Sequence, residues 1–438
     1  MTCWALTPVR KLTTIFAAGL FLFVAASMSA QTFNVIYNFT GGTDGGDPVG
    51  GLAIDAAGNL YGSAFTGGAG YGTTYELSPS GSGWTFNTLY SFLGFPANDG
   101  AGPTGIYLAP NGALIGETQA GGKSCRGLPQ YDGCGTVYEL TPPPRTERVL
   151  YRFTGGLDGI APYGLQPVAQ HGGDFYSTTF QGGAYGSCIY GYACGTSFKL
   201  TPTSGGGPWT ETVTWDFGSG SDGAEPASGV IFDAAGNMYG TALAGGTSSG
   251  CITQGYSGCG VVYELSPSGS GWTETIIYDF RGGADGGAPY SGLLMDRAGN
   301  LFGATAYAGS GGGGTIYELS PASGGGWTFH LLYSFAGSGA GPNGQCISCP
   351  GPYAPLITDG DGNLYGTTYN NGAFGLGMAF ELAKSSGVWT FHDLHDFTGG
   401  ADGSNIWPGL VRDSSGNLYG AATDGGANGF GVLYEITP

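Results

Sequence analysis

Asp55-Ala56-Ala57-Gly58-Asn59-Leu60-Tyr61-Gly62, then Thr74-Tyr75-Glu76-Leu77-Ser78-Pro79, then Trp84-Thr85-Phe86-Asn87-Thr88-Leu89-Tyr90-Ser91-Phe92 form one phrase, and variants of it run seven times along the chain. Asp-x-x-Gly-Asn is a tight hairpin turn, so the apolar run before it and the Leu-Tyr-Gly run after it are neighbouring strands. The Tyr-Glu-Leu phrase recurs at 137–142, 197–202, 262–267, 316–321, 379–383 and 433–438. Each repeat holds four short runs of aromatic and β-branched residues with period-two alternation and no capped helical pattern. Four strands per repeat describe a propeller blade. The 438 residues, less a 30-residue leader and shared among seven repeats, give about 58 each, too long for a rung of the competing open β-solenoid.

The expected fold is therefore all-β, a seven-bladed β-propeller of four-stranded antiparallel blades. Repeats fall at about 31–84, 85–144, 145–209, 210–272, 273–327, 328–389 and 390–438. Lettering the strands from the inside, A and B flank the Asp-x-x-Gly-Asn turn, C is the Tyr-Glu-Leu run and D the Trp-Thr-Phe run. On this phasing the chain starts with a D strand, Phe33 to Phe39, and ends with a C strand, Leu433 to Thr437. The N-terminal strand should close the last blade and remove a free sheet edge.

Arg10 and Lys11 precede the apolar run Ile15 to Ala26 and the small residues Ser27 to Ala30, the pattern of a secretory signal peptide over residues 1–30. No stretch reaches the roughly 20 apolar residues a membrane span needs. Beyond the leader, 10 of the 12 basic residues face all 31 acidic ones, a balance of −21, so nucleic acid is a poor partner. The 91 glycines have no three-residue period, and 41% hydrophobic with 13% aromatic residues suffices for a core. A secreted monomer, extracellular or periplasmic, is expected.

Eight cysteines fall into four close pairs: Cys125 and Cys134, Cys188 and Cys194, Cys251 and Cys259, Cys346 and Cys349. Exported chains oxidise such pairs, and a zinc site is the rival reading. Three pairs occupy equivalent B-to-C loops, while the CxxC of Cys346 and Cys349 lies in a D-to-A loop.

Asn-Leu-Tyr-Gly, Val-Tyr-Glu-Leu-Ser-Pro, Gly-Trp-Thr and Leu-Tyr-Ser-Phe together resemble the GloVer-type tandem repeats of exported bacterial proteins, often described as choice-of-anchor proteins. The resemblance covers nearly all of the chain after the leader. It implies export and a repeat fold, with no established activity, and this chain is expected to depart from the members that carry a C-terminal sorting anchor.

Alternating strand directions put the D-to-A and B-to-C loops on one face. The D-to-A loops repeat Gly-Gly-x-Asp-Gly-x-x-Pro, with Asp44, Asp99, Asp158, Asp222, Asp285 and Asp402 at equivalent places. These carboxylates could hold Ca²⁺ together with backbone carbonyls, or serve simply as turn residues; the turn reading is the stronger. Trp84, Trp209, Trp272, Trp327 and Trp389 open D strands and are expected to pack between blades, whereas Trp407 starts the last inner strand and is a ligand-contact candidate. His171 falls in an A-to-B turn and His330, His392 and His395 in D strands, away from the loop face, so no histidine-based catalytic set is expected. Two classes of function remain: a non-catalytic binding module for a protein or glycan, which the pattern favours, and a carboxylate- and calcium-dependent hydrolase or lyase on a carbohydrate or lactone.

Overall fold

Five of the seven inner hairpins are built by the aspartate that opens the turn. Asp55 accepts the N–H groups of Ala57 and Asn59 on one oxygen, and the Asn59 amide and Tyr61 hydroxyl on the other. Asp233, Asp296, Asp359 and Asp413 hold their own turns through the same backbone and Asn contacts. The turn thereby joins Ala53–Ile54 to Leu60–Ala64, which pairs with Thr73–Ser80, which pairs with Gly83–Ser91.

This A-B-C-D sheet occurs seven times in the computed structural model, which describes residues 31–125, 133–162, 169–185, 188, 193–204, 207–218, 220–248, 250–253, 256–337, 345–346 and 350–437. The architecture is a seven-bladed β-propeller of antiparallel blades. In the third blade, strand A is split into Ile160–Pro162 and Ala169–His171. Thr32–Asn38 pairs with Val432–Thr437 as the D strand of the last blade, closing the ring through the N-terminal strand. The expected leader, residues 1–30, and the Cys346–Cys349 pairing lie outside the described residues. Among the described residues no helix is long and apolar enough to cross a membrane.

The core follows the repeat. Every C strand buries one ring completely: Tyr75, Tyr138, Phe198, Tyr263, Tyr317, Phe380 and Tyr434. Each lies opposite the third residue of Leu-Tyr-Gly or its equivalent, as Tyr75 opposite Gly62 and Tyr263 opposite Gly240. A Cβ on Gly240 would stand 2.3 Å from the Tyr263 hydroxyl, so glycine is required by close approach of the ring. The third blade solves the same contact differently, setting Ser177 opposite Phe198, a ring without a hydroxyl.

Blades meet through their D strands. Each D strand contributes a ring two residues before its closing phenylalanine, and the next blade offers a residue six before its own. At four of the seven interfaces the two rings stack: Tyr37 on Phe86 at 4.1 Å, Tyr278 on Phe329 at 4.5 Å, Tyr333 on Phe391 at 4.2 Å and His395 on Phe33 at 3.7 Å. At the three consecutive interfaces joining blades one to four, the position opposite Tyr90, Tyr151 and Trp215 holds Glu147, Glu211 and Glu274. The Trp residues that open D strands pack across the same seams, Trp84 edge-on to Tyr419, Trp327 to Tyr239 and Trp389 to Phe302. Their place is interblade packing, as the repeat position suggested.

Candidate functional site

The D-to-A and B-to-C loops share one face. Ile252–Thr253, in the B-to-C loop of blade four, pairs in parallel with Gln345–Cys346, in the D-to-A loop leading to blade six. Within blades, the residue ending strand D ties down the B-to-C loop: Asp216 accepts the Ala184 N–H, Asp279 the Thr247 N–H, Asp396 the Ala373 N–H and Asn38 the Ala427 N–H. Three disulfides, Cys125–Cys134, Cys188–Cys194 and Cys251–Cys259, each clip one of these B-to-C loops.

Five of the six loop aspartates, all but Asp99, accept the backbone N–H of the residue four before them. The carboxylate of Asp285 accepts the Tyr278 hydroxyl and the Arg281 N–H on one oxygen and the Gly283 N–H on the other. Asp44 and Asp158 likewise take a tyrosine hydroxyl from strand D and an N–H and hydroxyl from a threonine. Asp99 takes Tyr90 and the N–H groups of Leu93 and Gly100. Asp222 takes the N–H groups of Gly218 and Gly220. For Asp44, burial by itself raises the pKa, but the bonds from Thr40 and Tyr37 outweigh it and hold the carboxyl below its ordinary value. Replacing Asp285 with alanine strands three donors in a partly buried turn. It should lower stability by about 1–3 kcal/mol for the unsatisfied groups together, read from a denaturant midpoint.

Asp402 brings a correction. His395, placed by sequence away from the loop face, ends its D strand against that face and meets Asp402 at 3.1 Å through Nε2, in the position tyrosine takes in other blades. Burial lowers the pKa of this histidine against the pull of Asp402. Sequence reasoning missed it, although its alignment with Tyr37 and Tyr278 in the Leu-Tyr-Ser-Phe phrase carried the signal.

Trp407 lies where the innermost strand of blade seven begins, half-buried. It packs at 4.9 Å from Tyr353 and 5.2 Å from Tyr369, and Tyr353 in turn meets Tyr290 at 4.5 Å. Three successive blades thus contribute one aromatic cluster at the inner mouth of the loop face. Trp407 and the loop aspartates share this face, but no contact joins them. Among the described residues, no group of three or more His, Cys, Asp and Glu side chains is arranged to hold a metal ion.

The fold and this face define a disulfide-clipped propeller built from tandem repeats. Residues 251–438 match the Gloeobacter/Verrucomicrobia repeat family. The same Tyr-Glu-Leu and Leu-Tyr-Ser-Phe phrases continue upstream of the matched residues. No curated protein matches the chain. Among solved structures, the chain is similar to a gluconolactonase of Xanthomonas campestris, at 12% identity over 93% of this chain and 90% of that one with a TM-score of 0.42. It is also similar to a candidate 6-phosphogluconolactonase of Bacteroides uniformis, at 12% identity over 78% and 83% with a TM-score of 0.45. At these values nothing about activity transfers.

Proposed function

We propose that the protein is an exported, non-catalytic binding module whose ligand meets the loop face, with Trp407 and the neighbouring Tyr369 as contacts at its inner mouth. The observation that carries this reading is the state of the six aspartates. Both oxygens of each carboxylate already accept hydrogen bonds from the residue's own turn or the adjoining D strand. Acceptors committed in this way serve the loop backbone, whereas a calcium-dependent hydrolase needs several of them converging on one point. Three disulfides favour an oxidising compartment, and the excess of acidic residues disfavours nucleic acid.

Calorimetric titration with calcium chloride, paired with melting curves in chelator, tests the reading. The expected result is no saturable heat and an unchanged melting temperature. Saturable binding with stabilisation would overturn it in favour of a carboxylate- and calcium-dependent enzyme acting on a carbohydrate or lactone.

A further inference from the structure

We propose that the groove between blades three and four binds a neutral saccharide, held against Trp215 and Trp272 with the Trp215 indole N–H meeting one of its hydroxyls. The proposal rests on the reading of the chain as a binding module and assigns that module a second contact surface and a ligand class.

The groove has a volume of about 470 Å³, within the range of small-molecule sites. Tyr185, Trp215, Trp272, Asp216 and Asp222 line it. Its origin lies in two departures from the repeat. Four interfaces place a phenylalanine, or His395 and Phe33, ring on ring at this register, whereas here blade four offers Glu274 and leaves no ring over Trp215. The second departure is Trp215 itself. A tyrosine at this place would donate its hydroxyl to the loop aspartate, as Tyr278 does to Asp285, but Asp222 is served by the N–H groups of Gly218 and Gly220 alone.

Both replacements leave a buried polar atom without a partner: Nε1 of Trp215 and Oε1 of Glu274. An unmade hydrogen bond of this kind costs about 1–3 kcal/mol, so the Trp215 indole N–H, on a side chain that lines the groove, is a stored demand for a ligand with a hydroxyl oxygen. Burial, then the charge of Asp222, pushes the Glu274 carboxyl up to about 8, so near neutrality it carries its proton and both donates and accepts. The two indoles supply flat apolar faces of the kind a sugar ring covers. Next to Tyr185 on the rim, the Ala184 N–H binds Asp216 at 2.8 Å.

The test reads the Trp215 indole N–H resonance, identified by its loss in Trp215→Tyr, during titration with glucose, galactose, mannose, xylose, cellobiose and xylobiose. At least one saccharide should shift it saturably. The double variant Trp215→Tyr with Glu274→Phe restores the pairing seen at Tyr278 and Phe329. It should melt no lower than the parent and bind that saccharide at least tenfold more weakly. A resonance unmoved by every saccharide, a response to choline chloride or calcium alone, or undiminished binding by the double variant each overturns the proposal. A saccharide that binds while Trp215 stays unmoved overturns the groove and leaves the binding module standing. A shift accompanied by consumption of the saccharide supports the groove and overturns the non-catalytic reading.

Discussion

Gly240→Ala should destabilise the propeller by about 1–3 kcal/mol, the usual cost of forcing an extra carbon into a packed core. The added Cβ would lie 2.3 Å from the Tyr263 hydroxyl and 2.5 Å from the ring carbon that bears it. Tyr263 is fully buried and its hydroxyl has no partner, so Tyr263→Phe alone should be neutral or stabilising by up to about 1 kcal/mol, because an unsatisfied group leaves the core. Combining the two should recover part of the loss. Recovery stays partial because the ring carbon remains, yet blade three tolerates Ser177 opposite Phe198. Denaturant midpoints of the four proteins measure this cycle. Equal stability of Gly240→Ala and the parent would refute the close-approach account of the Leu-Tyr-Gly phrase.

Glu211→Phe should give the largest gain and change the pH dependence. Burial, then the charges of Asp158 and Asp216, pushes the Glu211 carboxyl up to about 8, and its Oε1 has no hydrogen-bond partner. In the unfolded chain a glutamate titrates near 4.3. A group whose folded pKa is raised contributes stability that is full below the unfolded value and is lost as pH rises through the folded one. The parent protein should therefore unfold more easily at pH 9 than at pH 6, with Glu147, pushed up to about 7 by burial and Asp99, and Glu274 acting in the same sense.

Glu211→Phe, opposite Tyr151 as Phe329 is opposite Tyr278, should raise stability at pH 8 by about 1–2 kcal/mol through apolar burial. Glu211→Gln, which cannot ionise, should remove this site's share of the slope without the gain. The comparison is made as a difference between variant and parent at each pH, so the opposing contribution of His395, whose lowered pKa favours the fold above pH 6.5, cancels. The turn aspartates with lowered pKa values act at still lower pH. A slope identical in parent and Glu211→Gln would show that Glu211 stays solvated in the folded protein.

The blade count, the A-to-D strand order and the closure by the N-terminal strand were legible in the sequence. Each rests on local chemistry: Asp-x-x-Gly-Asn makes its turn with its own side chain, period-two alternation marks strands, and seven copies of one phrase can share one solution. The paired cysteines were legible for the same reason, since Cys188 and Cys194 are close along the chain before they are close in space. Tertiary structure alone decided what happens between repeats. Each C and D pair carries a one-residue bulge, as where Thr74 and Tyr75 face Tyr90 and Thr88, and no period-two pattern announces it. That shift aims rings two and six residues before the closing phenylalanine at neighbouring blades, so Glu147, Glu211 and Glu274 read in sequence as ordinary strand acids and prove to be half-buried at seams, each with its Oε1 out of solvent. The loop aspartates read as possible calcium ligands because composition cannot say which way an oxygen points; the turns and D-strand donors decide that. Local hydrogen bonds and periodicity are written residue by residue, whereas a contact between blades depends on the register of two strands some 60 residues apart, as for Trp215 and Glu274, which only the closed ring sets.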